Sequence, residues 1–278
     1  MHGVEDRPYM QVLVCTHGEE GINRVAKCDY PTVDGLEYLV SWQLPEGKEV
    51  TVPRALAERS DVRIVVNHTA GLSNNRNAAL DAATATTVLI ADDDLRYNAD
   101  SLRGLMAYHR SHPHTPLVCG HITIGGEKQP TYSSEEFDLA NAPRNYYFIS
   151  CEISFKLKSV RDTGIRFEPL MGVGAPVLKS GEEEALMRSL MREGLTGTCI
   201  PLVLADHPGT TTGDRLANDD SFIMTRGALL RIQHPGSWLI HLPVTALRTA
   251  KHSRMNCLKV LRLLCRGVRY SRRLTIFN

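Results

Sequence analysis

Three consecutive carboxylates, Asp92, Asp93 and Asp94, follow directly on the apolar run Thr87–Ala91 (TVLIA). Adjacent acids repel one another and cost desolvation, so they are tolerated mainly where a cation or donor groups neutralise them. Oxygen ligands of this kind select Mg²⁺ or Mn²⁺, ions commonly shared with substrate phosphates. In an extended strand end, Asp92 and Asp94 point one way and Asp93 the other. One carboxylate can then hold the metal while another takes a sugar or ribose hydroxyl. The plainer alternative is a solvated strand-to-helix turn with Asp94 capping the next helix.

Just upstream, GLSNNRN places Arg76 in the first turn of a predicted helix near the same strand end. A helix N-terminus with a guanidinium suits a diphosphate, and Asn74 and Asn77 add amides fit for a nucleotide. An ordinary capped helix with an exposed Arg is the competing reading. Glu182, Glu183 and Glu184 open a later helix. A carboxylate there can deprotonate a hydroxyl, although acids in a first turn also simply complement the macrodipole. His207 ends the strand-like IPLVLADH, where a neutral imidazole can complete a metal site; a polar loop histidine would look the same. Gly172 and Gly174 lack the strand–GxGxxG–helix setting of a dinucleotide fingerprint, and THGEEGIN lacks the glycines of a phosphate-binding loop.

The elements that must position these residues alternate. Gln11–Cys15, Leu36–Trp42, Val62–Val66 and Thr87–Ala91 read as strands. INRVAKCDY, Gly71–Ala83 and Ser101–Ser111 read as helices. Strands without polar alternation, separated by helices, imply an α/β fold with a mostly parallel sheet covered on both faces. Ligands of such sheets bind beyond the carboxyl ends of the strands. THGEEG, GLSNNRN and ADDDL all lie there. The second half is less regular: CGHITIG and NYYFISCEISF read as strands, GIRFEPLMGVGAPVLKSG as a long Gly/Pro-rich loop. GEEEALMRSLMREG reads as a helix that Gly194 caps.

Composition bounds the rest. The chain has 278 residues, 42% hydrophobic and 23% charged, with a net charge of +1, which fits a globular protein with a sizeable core. Seven scattered cysteines without a CxxC pair argue against a disulfide framework or a zinc site. MHGVEDRPYM is not a signal peptide, and no run reaches the roughly 18 apolar residues that span a bilayer. A cytoplasmic protein is expected.

The order of these pieces resembles the inverting family-2 glycosyltransferases of GT-A fold, especially bacterial enzymes of surface-polysaccharide synthesis. VLVCTHGEEGINRV, YLVSWQ, GLSNNRNAAL, LIADDDL, FEPLMGVGA, GEEEALMRSLMREG and LADHPGTTTG carry the likeness, over Gln11 to Gly213. The resemblance implies a Rossmann-like central sheet, with a nucleotide-donor half over 9–97 and an irregular acceptor half over 98–245. It implies transfer from a nucleotide-diphosphate sugar, UDP-linked by family frequency, to a saccharide or lipid-linked hydroxyl, with Mn²⁺ or Mg²⁺. Thr16 and Gln43 would line the donor pocket with Asn74, Arg76, Asn77, Asp92 and Asp93. Asp94, Asp92 and His207 would hold the metal. Glu183, in place of the family's Asp, would be the base, with Glu182 as substitute.

After Asp220 the sequence has no Asp or Glu. In the C-terminal segment 246–278, Lys259, Arg262, Arg266, Arg269 and Arg273 recur at helical spacing, with Leu261, Leu264, Cys265 and Val268 largely opposite. A basic amphipathic helix suits an anionic membrane surface and a peripheral position on its inner face; docking on the domain with the charges solvated is the alternative. Without aromatic interleaving, nucleic acid is not an expected partner. Two other function classes remain open: a nucleotidyltransferase, disfavoured by the acids in THGEEGINR, and a non-catalytic scaffold.

Overall fold

The computed structural model describes residues 7–49, 51–128, 132–143, 146–209 and 219–277, so Thr210–Gly213 of the last motif lies outside the described residues. Two compact units emerge. One comprises Met1–Ala70, Asn75–Gly164 and Glu193–Gly209; the other Gly71–Asn74, Ile165–Arg192 and Thr210–Asn278.

The first unit holds the sheet. In chain order its elements are β1 (Met10–His17), α1 (Gly18–Val25), β2 (Leu36–Gln43), α2 (Arg54–Ala57) and β3 (Val62–Asn67). After α3 (Leu72–Ala82) come β4 (Thr87–Ala91), β5 (Arg96–Tyr97), α4 (Ala99–Ser111) and β6 (Leu117–Ile124). The short β7 (Glu127–Lys128) and β8 (Phe137–Asp138) precede β9 (Ile153–Lys156), α5 (Leu157–Asp162) and, after α6 (Glu182–Arg192), β10 (Gly197–His207). The strand order is β3-β2-β1-β4-β9-β6-β10-β5. β3, β2, β1 and β4 run parallel, as do β6 and β10, while β9 runs antiparallel between β4 and β6.

The parallel half matches its sequence signals. TVLIA is buried along its length, as strands covered on both faces must be. Gln11, buried in β1, donates from Nε2 to Glu37, and its Oε1 accepts from the Thr84 and Ala85 amides. Beneath the sheet, Tyr30 stacks on Tyr38 with ring centroids 4.6 Å apart, and Tyr97 tilts against both. Two expectations shift. The first helix starts at Gly18 rather than Ile22, with Glu19 and Glu20 complementing its first turn, and ends at Val25 rather than running on to Tyr30. Of the described part of NYYFISCEISF only Ile153–Phe155 is strand, the start of β9; Ser150–Glu152 forms a 3₁₀ turn before it.

Glu152 in that turn is buried, and its carboxylate accepts from the Tyr132 hydroxyl. Burial pushes its carboxyl up to about 8 against an ordinary 4.5, the Tyr132 bond pulling it back. The folded state therefore keeps a proton that the unfolded chain releases above pH 4.5. Stability is expected to fall as pH rises from about 5 to 8, by at most about 1.4 kcal/mol per pH unit, and to level off beyond. Glu152→Gln should flatten that slope in denaturant titrations at pH 5, 6.5 and 8; an unchanged slope would assign it elsewhere.

The second unit is helical: α6, α7 (Asp220–Gln233), α8 (Trp238–Ser253) and α9 (Cys257–Tyr270), with the loop 165–181. α6 matches its expected bounds, with Gly194 left-handed at φ +94° just past its end. α9 buries Val260, Leu263, Leu264 and Val268. Of the expected apolar side, Cys265 is exposed and Leu261 half-buried. Two glycines explain the rotation: a Cβ on Gly227 would meet Leu264 O at 2.1 Å, and one on Gly267 would meet Met224 O at 1.8 Å. The α7 and α9 backbones are thus in contact where those glycines face, and that crossing fixes which arc of α9 is covered. Glu168, in the loop, accepts from the Thr275 amide at 2.6 Å and so ties down the last turn of chain.

Candidate active site

The carboxyl ends of β1 to β4 come level. Val14 pairs with Ala91, Thr16 with Trp42, and Gln43 with both His17 and Asn67. Beyond β4 the three acids diverge, each to its own partner, because the chain leaves the strand after Ala91 and turns at Asp93 and Asp94.

Asp93 turns toward α1. Its carboxylate accepts from Thr16 Oγ1 at 2.6 Å and from Arg24 Nη2 at 2.8 Å. Gly21 leaves room for this, since a Cβ there would stand 2.2 Å from Thr16 Oγ1. Asp92 turns the other way: Oδ1 receives Arg76 Nη2 at 3.1 Å, and Oδ2 accepts from Ser150 at 3.4 Å. Arg76 is only 2% exposed, so its guanidinium is held in low dielectric beside a carboxylate whose side chain is 36% exposed. A buried cation next to a half-open acid suits an incoming diphosphate.

Asp94 has a different character. Its Oδ1 is buried and makes no hydrogen bond; it faces His207 Nε2 at 3.6 Å. That separation is too long for a hydrogen bond. The His207 Nδ1 lies 2.9 Å from Gly209 O. The Gly209 amide lies 3.2 Å from the same Nδ1, so Gly209 holds the ring by that edge and leaves Nε2 directed at Asp94. Burial raises the Asp94 carboxyl above its ordinary range; His207 lowers it, and Asp92 and Asp93 raise it further. One carboxylate and one imidazole fit a divalent ion that takes its remaining ligands from water and phosphate. Among the described residues no cluster of three or more acidic, histidine or cysteine side chains has metal-holding geometry, and Asp92 is committed to Arg76.

Three contributors carried no separate sequence signal. Arg24 holds Asp93. Asn75, 2% exposed, donates to Thr16 O at 2.9 Å and accepts from Asn67 at 2.8 Å. Ser150 touches Asp92. Asn75 sits inside GLSNNRN, where only the buried phase of the helix distinguishes it from its neighbours. Asn77, in the same unit, is half-buried, as are Gln43 and, in the other unit, Asn74. Cys15, beside the acids, has its thiol pushed up to about 12 by burial, which removes it as a nucleophile.

The glutamates of α6 lie in the second unit and differ from one another. Glu184 is buried and accepts from Arg188 and Gln233, each at 2.8 Å. Glu182 is buried beneath Gly172, whose φ is +96° and where a Cβ would approach the Glu182 carboxyl carbon to 2.9 Å. Glu183 alone of the three is half-buried.

Residues 50–170 match the model of glycosyl transferase family 2, a span that contains Arg76 and the three acids. The structure of S. aureus TarS 1–349 in complex with UDP-GlcNAc is 14% identical, with a TM-score of 0.60 over 95% of this chain and 91% of that one. The chain has a GT-A fold, and its residues 50–170 carry the likeness to glycosyl transferase family 2. The UDP complex of TarS 1–349 is 17% identical with a TM-score of 0.57, covering 97% of this chain and 73% of that one. The mannosyltransferase PcManGT from Pyrobaculum calidifontis, in complex with GDP-Man and Mn²⁺, is 17% identical with a TM-score of 0.51, covering 96% and 76%. No curated protein matches the chain. At these identities the structural likeness is one of fold, and the individual roles in this chain rest on its own residues.

Proposed function

We propose that this chain is a glycosyltransferase that moves a sugar from a UDP-linked donor onto a hydroxyl of a saccharide or lipid-linked acceptor, in surface-glycan synthesis, with inversion at the anomeric carbon. The observation that carries the reading is the buried, hydrogen-bond-free Asp94 Oδ1 facing His207 Nε2, next to the Arg76–Asp92 pair at the carboxyl ends of a parallel sheet. UDP and UDP-GlcNAc in the TarS structures, and Mn²⁺ in PcManGT, support the donor class and a divalent ion.

In this reading Thr16, Gln43, Asn74 and Asn77 contact the nucleoside side of the donor, and Arg76 meets the diphosphate. Asp92 and Asp93 hold the strand end in shape and Asp92 offers an acceptor to a sugar or ribose hydroxyl. Asp94 and His207 would hold the Mn²⁺ or Mg²⁺, with Asp92 in reserve; the bound ion would supply positive charge against the departing diphosphate. The acceptor oxygen forms its bond to the anomeric carbon as the bond to the diphosphate oxygen breaks, and Glu183 takes the hydroxyl proton. Glu182 is the substitute base. The basic C-terminal helix α9 belongs to the same proposal as a contact with an anionic membrane surface, where lipid-linked acceptors reside.

Calorimetric titration with UDP, GDP and CDP, in Mn²⁺ and in EDTA, tests the donor site. Binding of UDP that requires the ion is the expected result. Well-folded protein that binds none of the three nucleotides would overturn the transferase reading in favour of a scaffold.

A further inference from the structure

Of the seven large hydrophobic side chains that stand exposed among the described residues, five lie on α8 or at the start of α9. They are Leu239 at 65%, Ile240 at 77%, Val244 at 50%, Leu247 at 63% and Leu258 at 64%. On α8 the buried residues Leu242, Ala246 and Thr249 mark the face turned to the rest of its unit. Ile240, Val244, Leu247 and Lys251 follow at intervals of four, three and four, which puts them on one line down the opposite face. The inner face is spent on packing, in a cluster with Ile223, Leu230, Val260 and Leu264. Among the described residues, the outer-face side chains Ile240, Val244 and Leu247 stay at least half exposed.

The charge around this stripe is mostly positive, Asp220 pairing with Lys259 at 2.9 Å. Arg248, Lys251, Arg254, Lys259, Arg262, Arg266 and Arg269 are all exposed, and no acid follows Asp220. A symmetric contact with a second copy would bring these like charges together. An anionic lipid surface complements them and also takes the aliphatic side chains out of water. No helix among the described residues is long and apolar enough to cross a membrane, so α8 would lie on the surface. α9 cannot insert its own apolar arc, because Val260, Leu263, Leu264 and Val268 are buried within the unit.

We infer that α8 is the membrane-inserting element, with Ile240, Val244 and Leu247 among the acyl chains and the cations of α8 and α9 at anionic head groups. This rests on the membrane contact of the proposed function and reassigns its apolar half from α9 to α8; it is independent of the donor chemistry.

Flotation with phosphatidylcholine vesicles and with mixed phosphatidylcholine–phosphatidylglycerol vesicles tests it, at low and high salt. The wild type is expected to float with the mixed vesicles, and less so in high salt. Ile240→Ser/Leu247→Ser should lower its partitioning about tenfold or more, with thermal unfolding and UDP titration unchanged. Ile240→Trp should show a blue-shifted emission on the same vesicles. Wild-type flotation that the serine pair does not reduce, but Arg262→Gln/Arg266→Gln abolishes, would overturn insertion by α8 and leave the membrane contact standing. Failure of the wild type to float would overturn both. A concentration-dependent dimer in sedimentation, lost in the serine pair, would assign the stripe to a second copy and overturn the inference as well.

Discussion

Asp94→Ala is expected to abolish ion-dependent UDP binding while leaving the protein as stable as the wild type. The two halves of that expectation come from the same geometry. Asp94 Oδ1 accepts no hydrogen bond, and burial together with Asp92 and Asp93 works against its charged form. An acid whose folded pKa is raised contributes nothing favourable at neutral pH, so its removal should change stability by no more than about 0.5 kcal/mol. Its neighbour behaves differently. Asp92→Ala leaves the buried Arg76 guanidinium without that carboxylate, and breaking such a pair costs about 3 kcal/mol. Asp94→Ala should therefore give a normal unfolding transition with transfer reduced about a hundredfold or more, and Asp92→Ala a loss of both. His207→Ala should resemble Asp94→Ala. A variant at Asp94 that binds UDP equally well in Mn²⁺ and in EDTA would remove the residue from the donor site.

How far the sequence could be read depended on whether a residue's surroundings were local. TVLIA–DDD was legible because a five-residue apolar run can be buried on both faces only in the middle of a sheet, and the acids must then stand at its end. α6 was legible from its flanking glycines, since Gly194 adopts the left-handed conformation such a stop needs. The antiparallel β9 was not. Its four residues give no periodicity, and nothing in ISFK distinguishes a partner for β4 and β6 from the strand suggested for the whole of residues 145–155. Arg24 and Asn75 were missed for a related reason. Their role depends on a partner 69 or 59 residues away, and each looks like an ordinary helical polar residue along the chain. The tail shows the opposite failure. Its 3.6-residue pattern correctly gave a helix with exposed cations, but the covered arc was set by Gly227 and Gly267 meeting backbone, a contact that periodicity does not encode. The exposed stripe of α8 was hidden for the same reason: Trp238 to Ala250 is apolar on several sides, and only packing shows which of them is left outside.

Glu183→Gln is the second large effect, and the three adjacent glutamates supply their own controls. A general base must keep its lone pair available, and general-base catalysis is worth about 10² to 10⁴ in rate. Glu184 has committed one oxygen to both Arg188 and Gln233, and Glu182 is buried under a left-handed glycine. Glu183 is the more open of the set. Glu183→Gln should thus lower kcat about 10² to 10⁴-fold with UDP affinity unchanged, because an amide keeps the shape of the side chain and cannot take the proton. The acidic limb of the kcat–pH profile should vanish with it. Glu184→Gln should instead weaken the link between α6 and α7, lowering the unfolding midpoint and leaving that limb in place. If Glu183→Gln retained most of its turnover and Glu182→Gln lost it, the base would be Glu182, and Gly172 would then be the residue that shapes the space around it.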